Sequence, residues 1–415
     1  MRYVIIGNGG AGLKAARTIR KRDAEGSITI VDEERYPCYY RMRMPDYICG
    51  WASLESLFVV DLDHYSQQRI RLILEDKVGR ILPDRGVVVL ESGSVLPYDR
   101  LLIASGARPR LRPCPGSDLD GVVYLRTLEQ AEDIIDRAKK AGHAVALGGG
   151  LLGVELARCF NELGLTTHYL IREDRFWPQI LDKNGSSLVE SVLREKGIML
   201  HTEEGLSEIS GDGGRVTGVI TATGDSLEAD LVGIAIGVIS NIDFLRDSGI
   251  ETDRGIIVDD HLLTNRPHIY AAGDVAQAYD VVHGEHRVVT SWLNAQRQGA
   301  TAGINMSGGS EALGGVVPFN VINIYGLSIA SIGMDKPPGD ETFEVLTGDY
   351  PRGMEYRKLI LRDGVLVGAN LIGDIKEARA LETLIKSRAD ISAYRDRLFE
   401  PDFKAGDLLK ELTGE

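Results

Sequence analysis

Twice in this chain a short apolar strand runs into Gly-x-Gly-x-x-Gly and then into a helix, and this repeat narrows the available folds more than any other feature. Tyr3-Val4-Ile5-Ile6 reads as a buried parallel strand. Gly7-Asn8-Gly9-Gly10-Ala11-Gly12 follows, then a helix to about Arg22 and a strand over 27–31 closed by Asp32 and Glu33. Asp32 lies 20 residues beyond Gly12, close to the spacing at which a carboxylate meets a ribose hydroxyl. The second copy begins with the strand Ala144-Val145-Ala146-Leu147. It continues through Gly148-Gly149-Gly150-Leu151-Leu152-Gly153 into a helix over 154–163 and a strand over 167–171.

Each glycine in such a loop has its own reason. The first makes the tight turn, the second lets backbone approach a pyrophosphate, and the third lets helix and strand pack closely. The helix N-terminus then offers free N–H groups and partial positive charge to phosphate. A single such loop is a weak signal, with a structural turn as the alternative; here each follows a strand and precedes a helix, the context that a nucleotide site requires. Two sites in one chain imply two dinucleotides, one a held flavin and the other a visiting nicotinamide.

At 415 residues the chain exceeds one core, so two or three domains are expected. The net charge of −14 argues against nucleic acid or an anionic membrane surface as a partner. Cys38, Cys49, Cys114 and Cys159 form no CxxC and no zinc-type cluster, so no metal is expected, and few scattered cysteines suit a reducing cytosol. The N-terminus carries no signal-peptide pattern, and no stretch nears the roughly 20 apolar residues needed to span a bilayer. A cytoplasmic protein is the expectation.

Other segments suggest a nested layout. Residues 101–109 read as a strand, a small-residue turn and a boundary proline; 256–258 and 268–272 read as strands, the latter ending at Gly273-Asp274. From about Val316 alternating strands take over, with a hairpin turn at Arg362-Asp363-Gly364-Val365 and a helix near 376–387. The expected fold class is α/β: two Rossmann-like dinucleotide-binding domains plus a C-terminal α+β domain. The expected boundaries are 1–108 with 241–315 for FAD, 109–240 for NAD(P)H, and 316–415 for an interface-type domain.

These residues resemble the pyridine nucleotide-disulfide oxidoreductase superfamily, a glutathione reductase-like fold, over essentially the whole chain. The resemblance rests on both glycine loops, Ala104-Ser105-Gly106, Gly153-Val154-Glu155 and Tyr270-Ala271-Ala272-Gly273-Asp274-Val275. Within the superfamily the chain looks most like the rubredoxin reductase, nitrite reductase flavin-domain and ferredoxin reductase branch. Pro37-Cys38-Tyr39-Tyr40-Arg41 is similar to that branch's aromatic-x-Arg segment, and Ser291-Trp292-Leu293-Asn294-Ala295 to its Trp motif. Asp46 is a departure, standing where ferredoxin reductases of the branch usually carry a Lys.

The resemblance implies FAD held by Gly7, Gly9, Gly12, Asp32, Glu33, Arg41, Val78, Ala104, Ser105, Gly106, Gly273 and Asp274, the last on the ribityl chain. It implies NAD(P)H at Gly148, Gly150, Gly153, Glu155 and Arg172, with Glu155 steering the nicotinamide and Trp292 bordering the flavin ring. A core aromatic is the alternative reading of Trp292. At the end of the second unit's second strand, Ile171 takes the usual carboxylate place and Arg172 follows, which leans the expectation toward NADPH through a bidentate phosphate contact. Glu173 beside it could repel that phosphate or bind a 2′-hydroxyl, and an Arg-Glu surface pair is the bland alternative.

No CxxxxC is present, so thiol-disulfide chemistry at the flavin is not expected; Cys38 and Cys49 read first as small buried residues, with a redox role as the alternative. His283-Gly284-Glu285-His286 reads as an exposed polar loop rather than a metal site. The resulting expectation is hydride transfer from NAD(P)H to FAD and onward passage of electrons to a small rubredoxin- or ferredoxin-like carrier. Arg41, Arg43 and Arg108 to Arg112 are docking candidates, although the 108–112 run reads first as a solvated interdomain linker. Two other functions stay open: an oxidase reducing dioxygen, and a redox-sensing or subunit flavoprotein. The C-terminal domain could form a homodimer interface or simply pack internally.

Overall fold

A computed structural model describes residues 1–339, 341–349, 355–400 and 403–413. The elements that carry the two loops are, in chain order, β1 (Arg2–Ile6), α1 (Gly10–Arg22), β2 (Ser27–Val31), β3 (Ile70–Ile73), β4 (Arg100–Ile103), β5 (His143–Leu147), α2 (Leu151–Glu162), β6 (Thr166–Ile171), β7 (Met199–Thr202), β8 (Leu231–Ile234), β9 (Ile269–Ala271) and α3 (Trp292–Met306).

The chain divides into two compact units. The first comprises 1–43, 52–108 and 238–318; the second comprises 44–51, 109–237 and 319–415.

In the first unit a five-stranded sheet runs in the order β9-β4-β1-β2-β3, and every pairing is parallel. Val4, Ile5, Ile28, Ile30, Leu101 and Leu102 are all buried, the near-continuous apolar runs expected of parallel strands covered on both faces. Both the turn into α1 and the turn after β4 leave the sheet at the carboxyl ends of adjacent strands. That is the switch-point crevice where open α/β sheets bind ligands. α3 lies on α1 almost backbone to backbone: a Cβ on Gly299 would be 2.3 Å from the Ala11 carbonyl oxygen, and one on Gly303 2.8 Å from that of Ala15.

The second unit repeats the arrangement. Its parallel sheet runs β7-β6-β5-β8 and ends on the short strand Val122–Val123. The C-terminal five-stranded antiparallel sheet belongs to the same unit, with Phe319–Ile324, Leu327–Gly333, Val365–Ile372, Tyr356–Arg362 and Phe343–Asp349 side by side. Its hairpin turn is Asp363-Gly364, both at positive φ (48° and 80°), which suits the right-handed strand twist. Polar contacts that join this sheet to the nucleotide-type domain include Tyr325 to Asn161 (2.7 Å), Tyr356 to Asp182 (2.6 Å), and the buried Lys358 ammonium and the Asn370 amide (3.2 Å), both to the Ile180 carbonyl. Residues 44–51, left with the first domain by the sequence pattern, cluster with α2 through Asp46, Cys49 and Trp51.

His283-Gly284-Glu285-His286 differs from the expected loop. The strand Ala276–Asp280 turns back into the strand Glu285–Val288, and His283 Nδ1 pairs with Asp280 Oδ2 at 2.8 Å. Among the described residues no group of three or more metal-ligating side chains occurs, and no helix is long and apolar enough to cross a membrane.

Candidate functional site

The first glycine loop is shaped by two close backbone approaches and one gap. Gly7 takes φ +101°, and a Cβ on it would sit 2.2 Å from the Ala104 carbonyl oxygen. A Cβ on Gly12 would sit 1.9 Å from the Gly7 carbonyl oxygen. Gly9 faces open space, with nothing within 4 Å of a Cβ. Gly9 also begins α1 without any side-chain cap, so the first N–H groups of the helix keep their capacity for an anion.

Several side chains close around this loop. Asp32 Oδ2 accepts from the Asn8 N–H at 2.5 Å, and Asp32 Oδ1 from the Glu34 N–H at 2.9 Å. Burial lifts the Asp32 carboxyl to about 6, with the nearby Glu34 charge adding to the effect. Glu33 points the other way, exposed and 3.5 Å from Lys77. The Asn8 side chain is buried; its oxygen accepts from Tyr65 at 2.9 Å, while its amide nitrogen has no partner. A buried amide donor without a partner is costly unless a ligand satisfies it. Glu34, also buried, holds Arg41 (2.5 Å) and the Tyr39 hydroxyl (2.6 Å), so Arg41 is fixed beside the loop's acidic strand end. Trp292 opens α3 and lays its ring on Gly10, whose Cβ would be 3.0 Å from it; the Tyr40 ring stands 5.2 Å away.

The remaining predicted FAD residues line the same strand ends. Ala104 donates its N–H to Ile6 O, and Ser105 and Gly106 are tied to Asn241 through Ser105 Oγ (2.8 Å) and the Gly106 carbonyl (2.9 Å). Gly273 takes φ +84° and gives its N–H to Gln298 Oε1 at 2.6 Å; Asp274 next to it is half-buried. Val78 is buried just after the stretch whose Asp76 N–H reaches Asp32 O. The gap at Gly9, the uncapped helix and the orphaned Asn8 donor together fit a dinucleotide pyrophosphate.

The second loop repeats the skeleton. Gly148 takes φ +129° with its Cβ position 2.0 Å from Ala235 O; Gly153 would meet Gly148 O at 1.9 Å; Gly150 faces open space and starts α2 uncapped. Here the closing group is different. Tyr169 donates its hydroxyl to Gly148 O at 2.8 Å, and Ile171 stands where the first unit has Asp32. Glu173 reaches back instead, its Oε2 3.2 Å from a Cβ on Gly149. Arg172 is 82% exposed and bonded to Glu173 Oε1 at 3.0 Å. Glu155 lies one turn into α2 and is clamped by Arg158 at 2.5 and 2.9 Å. Burial raises the Glu155 carboxyl, and the Arg158 charge opposes that rise. Arg158 also stands 3.6 Å from Asp46 and over the Trp51 ring (4.8 Å).

The candidate docking arginines are largely committed: Arg41 to Glu34, Arg43 to Ser56 O, Arg108 to Asp243, and Arg112 to Leu206 O. Sequence reasoning missed Asn8, Glu34 and Tyr65. Asn8 was the one visible signal, a polar side chain inside a loop of small residues.

Two parallel sheets, each presenting a glycine loop and an uncapped helix at its carboxyl edge, define a two-dinucleotide oxidoreductase fold. The comparisons agree. Residues 1–299 match the family model described as Pyridine nucleotide-disulphide oxidoreductase, and 318–389 match the Rubredoxin NAD+ reductase C-terminal domain. The chain belongs to the pyridine nucleotide-disulphide oxidoreductase family, as its motifs implied, and FAD and NAD(P)H are the cofactors this membership brings. It is 29% identical to the NADH-rubredoxin oxidoreductase of Clostridium acetobutylicum over 403 residues, 97% of each chain. It is 32% identical to the NAD(P)H nitrite reductase of Bacillus subtilis over 393 residues, covering 94% of this chain; the chain spans about half (48%) of that protein's length. Among solved structures it is similar to the reductase in the covalent putidaredoxin reductase–putidaredoxin complex, with TM-score 0.89, 25% identity, and 100% and 99% of the two chains covered.

Proposed function

We propose that the chain is an NAD(P)H-dependent flavoprotein reductase that passes electrons to a small redox protein of the rubredoxin or ferredoxin class. The observation that carries the reading is the pair of loops with one skeleton and different closures. In the first, Asn8 and Gly10 are buried and Trp292 covers Gly10; this suits a cofactor that stays. In the second, residues 148–152 are all half-buried, which suits a nucleotide that comes and goes. Bound FAD would supply the two-electron acceptor and release electrons singly or as a pair.

The protein's part is positional. The loop N–H groups and helix N-termini hold pyrophosphate, Asp32 accepts from an adenosine ribose hydroxyl, and Arg41, Val78, the 104–106 turn and Gly273-Asp274 line the rest of the FAD. Gly148, Gly150 and Gly153 seat the nicotinamide nucleotide, and Glu155, held by Arg158, steers its reactive end. No acid or base is needed for hydride transfer itself. Similarity to the NADH-rubredoxin oxidoreductase and to the putidaredoxin reductase of the complex supports a protein acceptor.

For the nucleotide, the observations favour NADH. The expectation of NADPH rested on Arg172 as a phosphate ligand. Arg172 is paired with Glu173, and the Glu173 carboxylate lies against Gly149, where it would accept from a ribose 2′-hydroxyl and repel a 2′-phosphate. We place the protein in the cytoplasm because few, scattered cysteines without a CxxC suit a reducing compartment. We also retain three functional parts, 1–108 with 241–315, 109–240 and 316–415.

The test is anaerobic mixing of the FAD-loaded protein with NADH and with NADPH while the flavin absorbance is followed, then addition of a rubredoxin or ferredoxin. Bleaching by NADH followed by carrier reduction is expected. No bleaching with either nucleotide overturns the reductase reading, and rapid reoxidation by dioxygen alone with no carrier reduction replaces it with an oxidase.

A further inference from the structure

We propose that Cys49 and Cys159 are a reversible dithiol/disulfide pair, separate from the flavin chemistry, that locks segment 44–51 to α2. The two sulfurs are 3.7 Å apart although 110 residues separate them in the chain. Cys49 is half-buried and directly follows the short helix Met44–Ile48; Cys159 is fully buried in α2, one turn beyond Glu155. No other pair of cysteine sulfurs lies within hydrogen-bond reach among the described residues.

The surroundings favour bond formation. Cys49 donates toward the Cys159 sulfur, and Cys159 in turn donates to the Pro45 carbonyl at 3.6 Å, so the two sulfurs already face each other. Closing to the S–S length of about 2.05 Å needs an approach of about 1.6 Å. Gly50, which follows Cys49, is at φ +75° with nothing within 4 Å of a Cβ. Burial pushes the Cys159 thiol up, so the half-buried Cys49 is the sulfur that attacks first.

The chemistry balances with a peroxide as oxidant. The Cys49 thiolate attacks one oxygen of hydrogen peroxide and the O–O bond breaks. This yields a sulfenic acid at Cys49 and hydroxide, which takes up the thiol proton as water. The Cys159 sulfur then attacks the Cys49 sulfur, and the Cys159 proton leaves with the hydroxyl group as a second water. One peroxide is reduced and two thiols become one disulfide; a small dithiol reverses the change by exchange. In a reducing compartment the pair rests as thiols and closes under oxidative stress.

The test uses the reduced full-length holoprotein, without nicotinamide nucleotide, exposed to hydrogen peroxide, alkylated and digested for mass spectrometry. The expected result is a fall from four free thiols to two, a Cys49–Cys159 linked peptide, recovery with dithiothreitol, and a rise in melting temperature on oxidation. Cys49→Ser, at the half-buried position, is expected to fold as judged by circular dichroism and to lose both the link and the melting shift. Four persistent thiols, Cys49 stopping at sulfenic or sulfinic acid, a link through Cys38 or Cys114, or a link between chains would each overturn the proposal. If Cys159→Ser fails to fold, the Cys49→Ser comparison alone decides.

Discussion

In the first loop Gly7 packs on Ala104 and Gly12 on Gly7; in the second Gly148 packs on Ala235 and Gly153 on Gly148. The distances agree to within 0.2 Å, 2.2 against 2.0 Å and 1.9 against 1.9 Å, so the backbone skeletons are equivalent. The closures are not. Asp32 binds the Asn8 N–H, Tyr65 pins the Asn8 side chain, and Trp292 lies on Gly10. The second loop has a tyrosine hydroxyl on Gly148 O and a carboxylate arriving from two residues past the strand end. On the proposed reading, the glycines would set where a pyrophosphate lies and the side chains around them how long its owner stays.

The largest expected effect comes from filling the two gaps. Gly9→Val and Gly150→Val both place side chains where only open space exists, at extended φ values of −79° and −107° that valine adopts without strain. Each chain is therefore expected to fold. Gly9→Val protein should purify without flavin absorbance, a loss in FAD affinity on the order of 100-fold. Gly150→Val should keep its flavin and lose bleaching by NADH to a similar degree. If Gly9→Val stays yellow, or Gly150→Val bleaches normally, the division of labour between the loops fails.

Nucleotide choice comes next. Glu173→Ala should shift the NADH/NADPH ratio of kcat/KM toward NADPH by about tenfold or more, because a carboxylate facing a phosphate is removed. Steady-state rates with both nucleotides read this directly, and an unchanged ratio would return Arg172 and Glu173 to a surface pair.

The third concerns pH. With burial holding the Asp32 carboxyl at about 6, acid protonates it well before an ordinary aspartate, and it then no longer accepts as a carboxylate. FAD affinity of the apoprotein is expected to weaken as pH falls through about 6. The apoprotein's folding stability should move oppositely. The folded carboxyl binds its proton more tightly than the unfolded one, so this contribution is greatest below pH 4 and is lost as pH rises through about 6. Fluorescence titration with FAD and melting curves across pH 4–7 measure the two, and both pH dependences should flatten in Asp32→Asn.

The smallest effect is expected at Trp292. Trp292→Leu removes the ring from Gly10 and Tyr40, and a several-fold weakening of FAD binding is expected by dialysis, with NADH KM little changed. An equal loss at both sites would mean that the ring supports the fold rather than one loop.

Much of this was legible because its cause is local. A glycine that must take positive φ, or that cannot carry a Cβ beside a carbonyl, announces itself in sequence wherever strand and helix flank it, and both loops, their strands and the Asp363-Gly364 hairpin follow from such rules. Asp32 was readable from its spacing alone. The partners of these residues were not readable. The Asn8 side-chain oxygen is met by Tyr65, 57 residues away, the Gly273 N–H by Gln298, and Glu155 by an Arg158 that is itself held by Asp46 and Trp51. For Glu173 the sequence left open a 2′-hydroxyl contact, repulsion of a phosphate and a plain surface pair; packing of the strand end brings it against Gly149. Cys49 and Cys159 gave no motif because nothing in their spacing records that segment 44–51 lies on α2. Backbone conformation is dictated by each residue and its neighbours. Which side chain completes a buried donor, turns a carboxylate toward a loop or sets one sulfur beside another is decided only when distant strands and helices pack, since those contacts gain their free energy from burial that no isolated segment possesses.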